Sequence, residues 1–471
     1  MFNVTTEISG KVKYNTQQQT AQKNLGTSKQ HSSQLLARDT SIPTKMLKFE
    51  IGRLSGSTTH SVSITPETLL GRNCAILGST CSGKTWTLAS IIDHCIELRS
   101  KIIIFDETCE FASLDKRIMH LSIGPSISSE IQEFGATIPQ FCLTQSDVIS
   151  LLSTGTSDPL GAALSVRQAL NEIRLQHRVQ ANRNLQDNHS SESVEEPNTH
   201  ILEDLRHFFY NQLEDHSNNL NSQHGLASDH KDSAHSKIEI LENLERILHS
   251  PENSRIFSQG GKTSIFSWVT QFMREPFIRA ARISLKSVPK ENHMRSIVKN
   301  LIIRSLLTFA EGGLFRESPV VLFMDEAGET LSTENSALRD KMGLTALSDI
   351  IKGGRIHGLT VCFSCSNPAL LDRRITQYIG MFIVHRLKHS DDCDTIRQLS
   401  GSTDDPSMQL IPFFHSGDAA LIGYELAEPV LLNIIPPRQT FEPGLYSGFS
   451  RFQKFWRHAA EPKSSLSILK D

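Results

Sequence analysis

Gly78-Ser79-Thr80-Cys81-Ser82-Gly83-Lys84-Thr85 has the spacing G-x-x-x-x-G-K-T. The apolar run Cys74-Ala-Ile-Leu leads into it, and a helix-like segment from Thr85 to Arg99 leaves it. In a strand-loop-helix of this kind, successive backbone N–H groups and the helix N-terminus surround a β-phosphate. Lys84 can then reach the β- and γ-oxygens, and the Thr85 hydroxyl can coordinate Mg²⁺. Gly83 permits close approach of backbone to phosphate. A second buried-strand run, Val320-Val-Leu-Phe-Met, ends in Asp325-Glu326. Acids at the carboxyl end of a parallel strand sit where ligands bind. Asp325 is suited to the Mg²⁺ shell and Glu326 to orienting and deprotonating an attacking water. Such a pair fits a nucleotide hydrolase better than a small-molecule kinase, which would position an acceptor substrate instead.

Three further groups carry weaker signals. Asp106-Glu-Thr-Cys-Glu110-Phe follows the run Ile102-Ile-Ile-Phe. One of its acids could assist water placement or the magnesium shell, and a plain polar loop explains them equally well. Lys352-Gly-Gly-Arg355-Ile-His-Gly is a basic turn between a helix and a strand. Arg355 there could act across a subunit boundary on γ-phosphate charge, or the turn could be a glycine-capped connection. In Ser364-Cys-Ser366-Asn367-Pro368 a polar side chain could sense the γ-phosphate, or the segment could be a strand end before a proline turn.

The elements that must hold these groups read as short apolar runs alternating with helical segments: Cys74-Ala-Ile-Leu, Ile102-Ile-Ile-Phe, Val320-Val-Leu-Phe-Met, Leu359-Thr-Val-Cys-Phe and Met381-Phe-Ile-Val. Helices are expected over Thr85 to Arg99, Arg295 to Glu311 and Leu338 to Lys352. Buried strands alternating with helices indicate a doubly wound α/β domain. Residues 1–45 read as a flexible polar tail, with a short strand around Val4 to Val12. Residues 46–70 read as a short β segment with strands at Leu47-Lys-Phe-Glu-Ile and Ser61-Val-Ser-Ile. The ATPase core is expected at 71–138 and 301–440, interrupted by an insertion at 139–300. That insertion reads as helical at Thr144 to Gln176 and Ile238 to Asn300. Its middle, about 177–236, reads as partly disordered around one short helix, Ile201 to Leu213. Residues 441–471 are expected to pack back on the core.

The chain has 471 residues, 38% of them apolar, so a sizeable core is possible. Its 48 Lys and Arg against 51 Asp and Glu give a formal net charge of −3, which excludes a generally basic nucleic-acid binder but not a ring with a basic pore. The eight cysteines show no disulfide framework, and Cys362 and Cys365 lie within a strand, poorly placed to chelate a metal. Neither a signal peptide nor a membrane-spanning stretch is read, so a cytoplasmic location is expected.

Taken in order, these motifs resemble the HerA-FtsK ATPases, most closely the HerA branch of hexameric DNA translocases. Ile76-Leu-Gly-Ser-Thr-Cys-Ser-Gly-Lys-Thr-Trp-Thr is similar to that family's loop, and Ile102-Ile-Ile-Phe-Asp-Glu-Thr-Cys-Glu-Phe-Ala to its segment ending in Gly-Glu-Tyr or Gly-Glu-Phe. Gly354 through Leu387 is the most extensive likeness and includes Gln377 and Ile383-Val-His-Arg-Leu; Phe414-His-Ser-Gly-Asp-Ala-Ala-Leu-Ile-Gly and Phe452 to Trp456 extend it. The resemblance spans about residues 47–176 and 290–458. It implies a RecA-like P-loop fold of the ASCE type with a mainly parallel sheet and a reduced N-terminal β segment. It implies ATP and Mg²⁺ as cofactors. Gly78, Ser79, Thr80, Cys81, Ser82, Gly83, Lys84, Thr85, Trp86, Asp325 and Ser366 would bind nucleotide, with Thr85 and Asp325 on the metal. Lys84, Glu326 and a trans-acting Arg355 would be catalytic, with Glu110 a second acid. Four features depart from the family: Cys81 for a glycine, Gly328 for a histidine, Ser366-Asn367 for a Gln-Arg pair, and a barely visible N-terminal barrel. The implied partners are double-stranded DNA, further copies of the chain in a hexamer, and a nuclease or defence effector, with no membrane. Two alternatives stand beside the translocase: a ring platform that organises an effector with little translocation, and a conjugation or secretion motor.

Overall fold

The structure, a computed structural model, describes residues 48–438 except 58, 99, 115–116, 125–132, 188–199, 221–228, 251–254, 259–263, 334–344 and 402–404. Strands β1 (Phe49–Leu54) and β2 (Ser61–Ile64) form an antiparallel pair, and α1 (Pro66–Leu70) leads to β3 (Cys74–Leu77). Then come α2 (Lys84–Glu97), β4 (Lys101–Asp106), β5 (Ile118–Ile123), β6 (Phe134–Ala136) and β7 (Ile138–Pro139). A helical region follows, with α3 (Gln145–Ser153), α4 (Pro159–Asp187), α5 (Ile201–Leu220) and α6 (Asp229–His249). The chain returns through β8 (Phe257–Ser258), α7 (Ile265–Arg274), β9 (Ala280–Ser284), α8 (Met294–Glu311) and β10 (Val320–Met324). It closes with α9 (Gly328–Leu331), α10 (Ala346–Gly353), β11 (Leu359–Cys365), α11 (Arg373–Thr376), β12 (Met381–Val384), α12 (Ser390–Ser400), β13 (Asp418–Gly423) and β14 (Val430–Ile434).

Twelve strands make one sheet in the order β2-β1-β14-β13-β12-β3-β11-β10-β4-β9-β5-β6. From β12 to β6 all pairings are parallel; β13, β14, β1 and β2 extend it antiparallel. Alternation along each strand divides the apolar residues between two cores. Cys74, Ile76, Ile102, Ile104, Phe323 and Ile383 face α2, whereas Leu77, Ile103, Phe105, Leu322, Phe363 and Val384 face the side of α3–α8 and α10. Both faces are covered, which is why these strands read as unbroken apolar runs. Cys362 and Cys365 fall into opposite cores.

Several sequence expectations are corrected. The helical reading of Ile238 to Asn300 fails at Ala280–Ser284, which is β9, paired in parallel with both β4 and β5 inside the main sheet. The stretch at 139–300 therefore contributes a core strand as well as helices. Around 177–236, helices α4, α5 and α6 cover most of the residues, and α5 extends to Leu220 rather than Leu213. The segment at 46–70 supplies β1 and β2 to the edge of the main sheet, and the helix expected from Leu338 begins at Ala346, with 334–344 outside the described residues. The readings of 1–45 (the strand at Val4 to Val12 among them) and of 441–471 also lie outside them.

Candidate active site

Strand β11 lies between β3 and β10, so its polar end is set between the phosphate loop and the Asp325-Glu326 pair at the carboxyl ends of the parallel strands. The loop is held from three sides. Gly78 N–H donates to Cys365 O at 3.2 Å, Ser79 N–H to Arg386 O at 2.8 Å, and Gly417 N–H to Ser82 O at 3.3 Å. The Ser79 hydroxyl also accepts from Lys388 N–H at 3.2 Å. Gly83, at φ 114°, turns the chain into α2 in a conformation that a side chain would strain. Cys81 takes φ 62° without being glycine and is exposed, so the position where the family has glycine keeps the backbone conformation glycine favours. Thr80 and Trp86 are also exposed beside it.

Lys84 is 4% exposed; its ammonium lies 3.3 Å from Glu326 Oε1 and donates to Ser79 O at 3.4 Å. The Thr85 hydroxyl donates to Asp325 Oδ2 at 3.1 Å, and the Ser364 hydroxyl donates to Asp325 Oδ1. Burial holds the Asp325 carboxyl above its ordinary range, against the opposing pull of the Ser364 hydrogen bond. Thr85 and Asp325 thus present adjacent hard oxygens, the donor type that Mg²⁺ prefers. Glu326 stands at φ 50°, with its N–H donating to Ser364 Oγ at 2.8 Å. The Ser366 hydroxyl reaches both Glu326 carboxylate oxygens, at 2.7 and 2.8 Å. A left-handed, non-glycine residue whose carboxylate and amide are both tied down is the kind of strained position that function retains.

The acids after β4 divide by role. Asp106 is no site ligand in this arrangement. Its Oδ2 accepts from Arg282 Nε at 2.6 Å, and Arg282 Nη1 reaches Glu133 Oε1 at 2.9 Å, all three side chains being almost fully buried. Asp106 also accepts the N–H groups of Glu110 and Phe111, which fixes the loop that carries Glu110 toward the site. Glu107 pairs with Lys299 at 2.7 Å. Burial first, and then repulsion from Asp325, Asp106 and Glu326, raise the Glu110 carboxyl to about 7.

Two supports were not found by reading the sequence. Ser364 bonds both Asp325 and Glu326; its signal was the period-two spacing to Ser366. His385, fully buried, lies with Nδ1 2.8 Å from Asp418 O and Nε2 2.8 Å from Thr87 Oγ1. A carbonyl only accepts, so Nδ1 carries the hydrogen and Nε2 accepts from Thr87. A Cβ on Gly78 would sit 2.7 Å from the His385 Cβ, so glycine is what lets β12 pack against the loop. Burial lowers the His385 pKa to about 4.

Arg355 is not brought to this site within the chain. It lies in the 3-10 turn Gly354–His357, which enters β11 at the strand end opposite the phosphate loop. It is exposed, and its side chain has no hydrogen-bond or ion-pair partner among the described residues. Gln377 is exposed and donates to Arg374 O at 3.2 Å, Arg373 bonds Gln398, and Arg374 pairs with Asp372. Asn367 occupies the position before the 3-10 turn Pro368–Leu370 and makes no side-chain capping bond there.

The family model described as "Helicase HerA, central domain" matches residues 49–269. Over those residues the chain is similar to the central domain of that helicase family. It is 21% identical over 428 residues to the DNA double-strand break repair helicase HerA of Sulfolobus acidocaldarius, covering 89% of this chain and 75% of that protein. Among solved structures it resembles VirB4 of Thermoanaerobacter pseudethanolicus, with TM-score 0.53, 14% identity, and 84% and 97% of the two chains covered. The conjugative coupling protein TrwB lacking its first 70 residues gives TM-score 0.50 at 13% identity, with 88% and 93% covered. These two likenesses bear on the RecA-like fold. The phosphate loop, β4 and the helical region to α7 fall inside the matched family segment; Asp325, Glu326 and Arg355 lie beyond it.

Proposed function

We propose that the chain is the subunit of a hexameric, ATP-driven translocase of double-stranded DNA. It would work with a separate nuclease or other effector in DNA-end processing or antiviral defence. One observation carries the oligomeric reading. The site gathers Asp325, Glu326 and Glu110 about Lys84, while Arg355, whose side chain has no partner among the described residues, stands at the far ends of the same strands. The resemblance to a repair helicase supports DNA as the track.

In this reading the loop from Gly78 to Thr85 cradles the ATP phosphates. Lys84 exchanges Glu326 for β- and γ-phosphate oxygens. Thr85 and Asp325 would hold Mg²⁺, which neutralises phosphate charge when bound. Glu326, fixed by Ser366, orients the attacking water and takes its proton. Arg355 of the neighbouring subunit would supply positive charge to the γ-phosphate in the transition state, a contribution of about 10³–10⁵ in rate for such arginines. Among the described residues no helix is long and apolar enough to cross a membrane.

Double-stranded DNA is expected to stimulate ATP turnover; no stimulation at any salt concentration counts against translocation. Arg355→Ala and Glu326→Gln subunits, each inactive alone, are expected to regain ATPase activity when mixed, because mixed rings contain boundaries with both groups intact. Absence of complementation removes the trans role.

A second reading, a ring platform with little translocation, is favoured by one feature. Ser366 is engaged with Glu326 itself, so the strand end couples to the base. Under that reading Glu326→Gln, which binds ATP without hydrolysis, keeps full effector activity; loss of that activity eliminates the platform.

A further inference from the structure

Ser364 is the penultimate residue of β11 and is fully buried. The parallel register pairs Phe363 with Met324, so Ser364 stands beside Asp325 as β10 ends. Its hydroxyl is shared between the two acids of the site, and the chemistry of the partners fixes where each hydrogen points. The Glu326 amide can only donate, and its nitrogen lies 2.8 Å from Ser364 Oγ. An ionised carboxylate can only accept, so the one hydroxyl hydrogen goes to Asp325 Oδ1. A one-way chain results, from the Glu326 N–H through the Ser364 hydroxyl to the Asp325 carboxylate. Successive bonds in such a chain polarise one another, and a charged final acceptor strengthens the last of them.

The chain acts on both acids. Asp325 Oδ1 is occupied by Ser364 and, at 3.2 Å, by the Glu326 N–H, whereas Oδ2 faces the Thr85 hydroxyl at 3.1 Å. The carboxylate is thereby held with one chosen oxygen toward Thr85, its proposed companion in the metal shell. Glu326 stands at φ 50°, a conformation costly for a residue with a side chain. Its N–H is the group that Ser364 captures, which offsets that cost and directs the carboxylate to Ser366 and Lys84. Alternation along β11 sends Cys365 to the opposite side, against Gly328, so of these neighbours only Ser364 and Ser366 meet the acids.

We infer that Ser364 is a positioning residue for ATP hydrolysis: a single hydroxyl sets the Thr85-facing oxygen of Asp325 and the backbone of Glu326 together, so that metal ligand and base are oriented as one unit. It acts through the two acids rather than on the nucleotide. The inference rests on the proposed roles of Asp325 and Glu326.

The test joins steady-state ATPase kinetics to binding of a fluorescent ATP analogue by the full chain, with and without Mg²⁺. In Ser364→Ala, kcat is expected to fall about 10–100-fold with the KM for ATP nearly unchanged, the usual effect of removing a partner that orients a metal ligand. Binding of the analogue without Mg²⁺ is expected to match wild type, because the phosphate loop is untouched. The Mg²⁺ concentration that half-maximally tightens binding is expected to rise about 10-fold. Ser364→Cys, close to serine in size but a weak donor, is expected to lose kcat as alanine does. Wild-type kcat in the cysteine variant overturns the inference, since the position would then need volume and not a hydroxyl. Wild-type kcat and Mg²⁺ dependence in Ser364→Ala overturn it too, as does a loss of Mg²⁺-free binding by both variants in step with kcat, which marks a purely structural role. Asp325→Asn and Glu326→Gln are expected to abolish turnover. Turnover that survives in either overturns the assignment of the acids themselves, separately from that of Ser364.

Discussion

Glu326 is the residue on which turnover is expected to depend most finely. Its amide and its carboxylate are each held by a serine of β11 or its end, and its backbone sits at positive φ. Ser366→Ala removes the hydroxyl that bridges both carboxylate oxygens and leaves the Glu326 carboxylate held only by its ion pair with Lys84. The expected outcome is a fall in kcat of about 10–100-fold with the KM for ATP nearly unchanged, because a positioning loss acts in the transition state. Steady-state kinetics check it; a rise in KM with kcat intact would make Ser366 a nucleotide-binding group instead. Cys81 makes a separate prediction. A non-glycine residue in the left-handed region costs about 1 kcal/mol or more relative to glycine. Cys81→Gly is therefore expected to raise stability by about 0.5–1 kcal/mol in denaturant unfolding, and Cys81→Val to lower it. Gly328, where the family has histidine, has a local reason: a Cβ there would sit 2.8 Å from Cys365 Sγ.

Among the elements, β4 and β9 are joined by the pair Asp106–Arg282, extended by Glu133. Removing one member of a buried ion pair strands the others without solvation, at a cost of about 3–5 kcal/mol. Arg282→Met is expected to destabilise by that amount, and adding Asp106→Asn and Glu133→Gln is expected to recover part of it. Unfolding curves of the single and triple variants decide; an unchanged midpoint for Arg282→Met would mean that the network carries no stability. Arg282 also explains why β9 was illegible. Within Ala280-Ala-Arg-Ile-Ser, a charged residue breaks the apolar run, and only the partners brought by Asp106 and Glu133 make its burial tolerable. Strands such as β3, β10 and β12 were legible because both of their faces are buried and no partner from afar is required. The phosphate loop and Asp325-Glu326 were legible for a similar reason, since their chemistry is carried within a few consecutive residues. Ser364 and His385 act through contacts 39 and 298 residues distant in the chain, and no local pattern names those partners.

At the scale of the whole molecule, pH should act on stability through His385. The imidazole is neutral and buried, with a folded-state pKa of about 4 against 6.5 for the unperturbed group. The unfolded chain therefore takes up a proton more readily than the folded one. The stabilisation is fully present above about pH 6.5, declines as pH falls, and is gone below about pH 4. At pH 5 the loss is about 2 kcal/mol, taking 1.36 kcal/mol per pH unit over the interval below 6.5. Glu110 opposes this, because a carboxyl raised to about 7 in the fold favours folding as it is protonated. The total slope mixes the two, so the measurement is a difference between chains. Urea unfolding at pH 7 and pH 5 is expected to show wild type losing about 2 kcal/mol more than His385→Asn. Equal losses would place His385 in contact with solvent, and with it would go the wedge that ties α2, β12 and β13 around the phosphate loop.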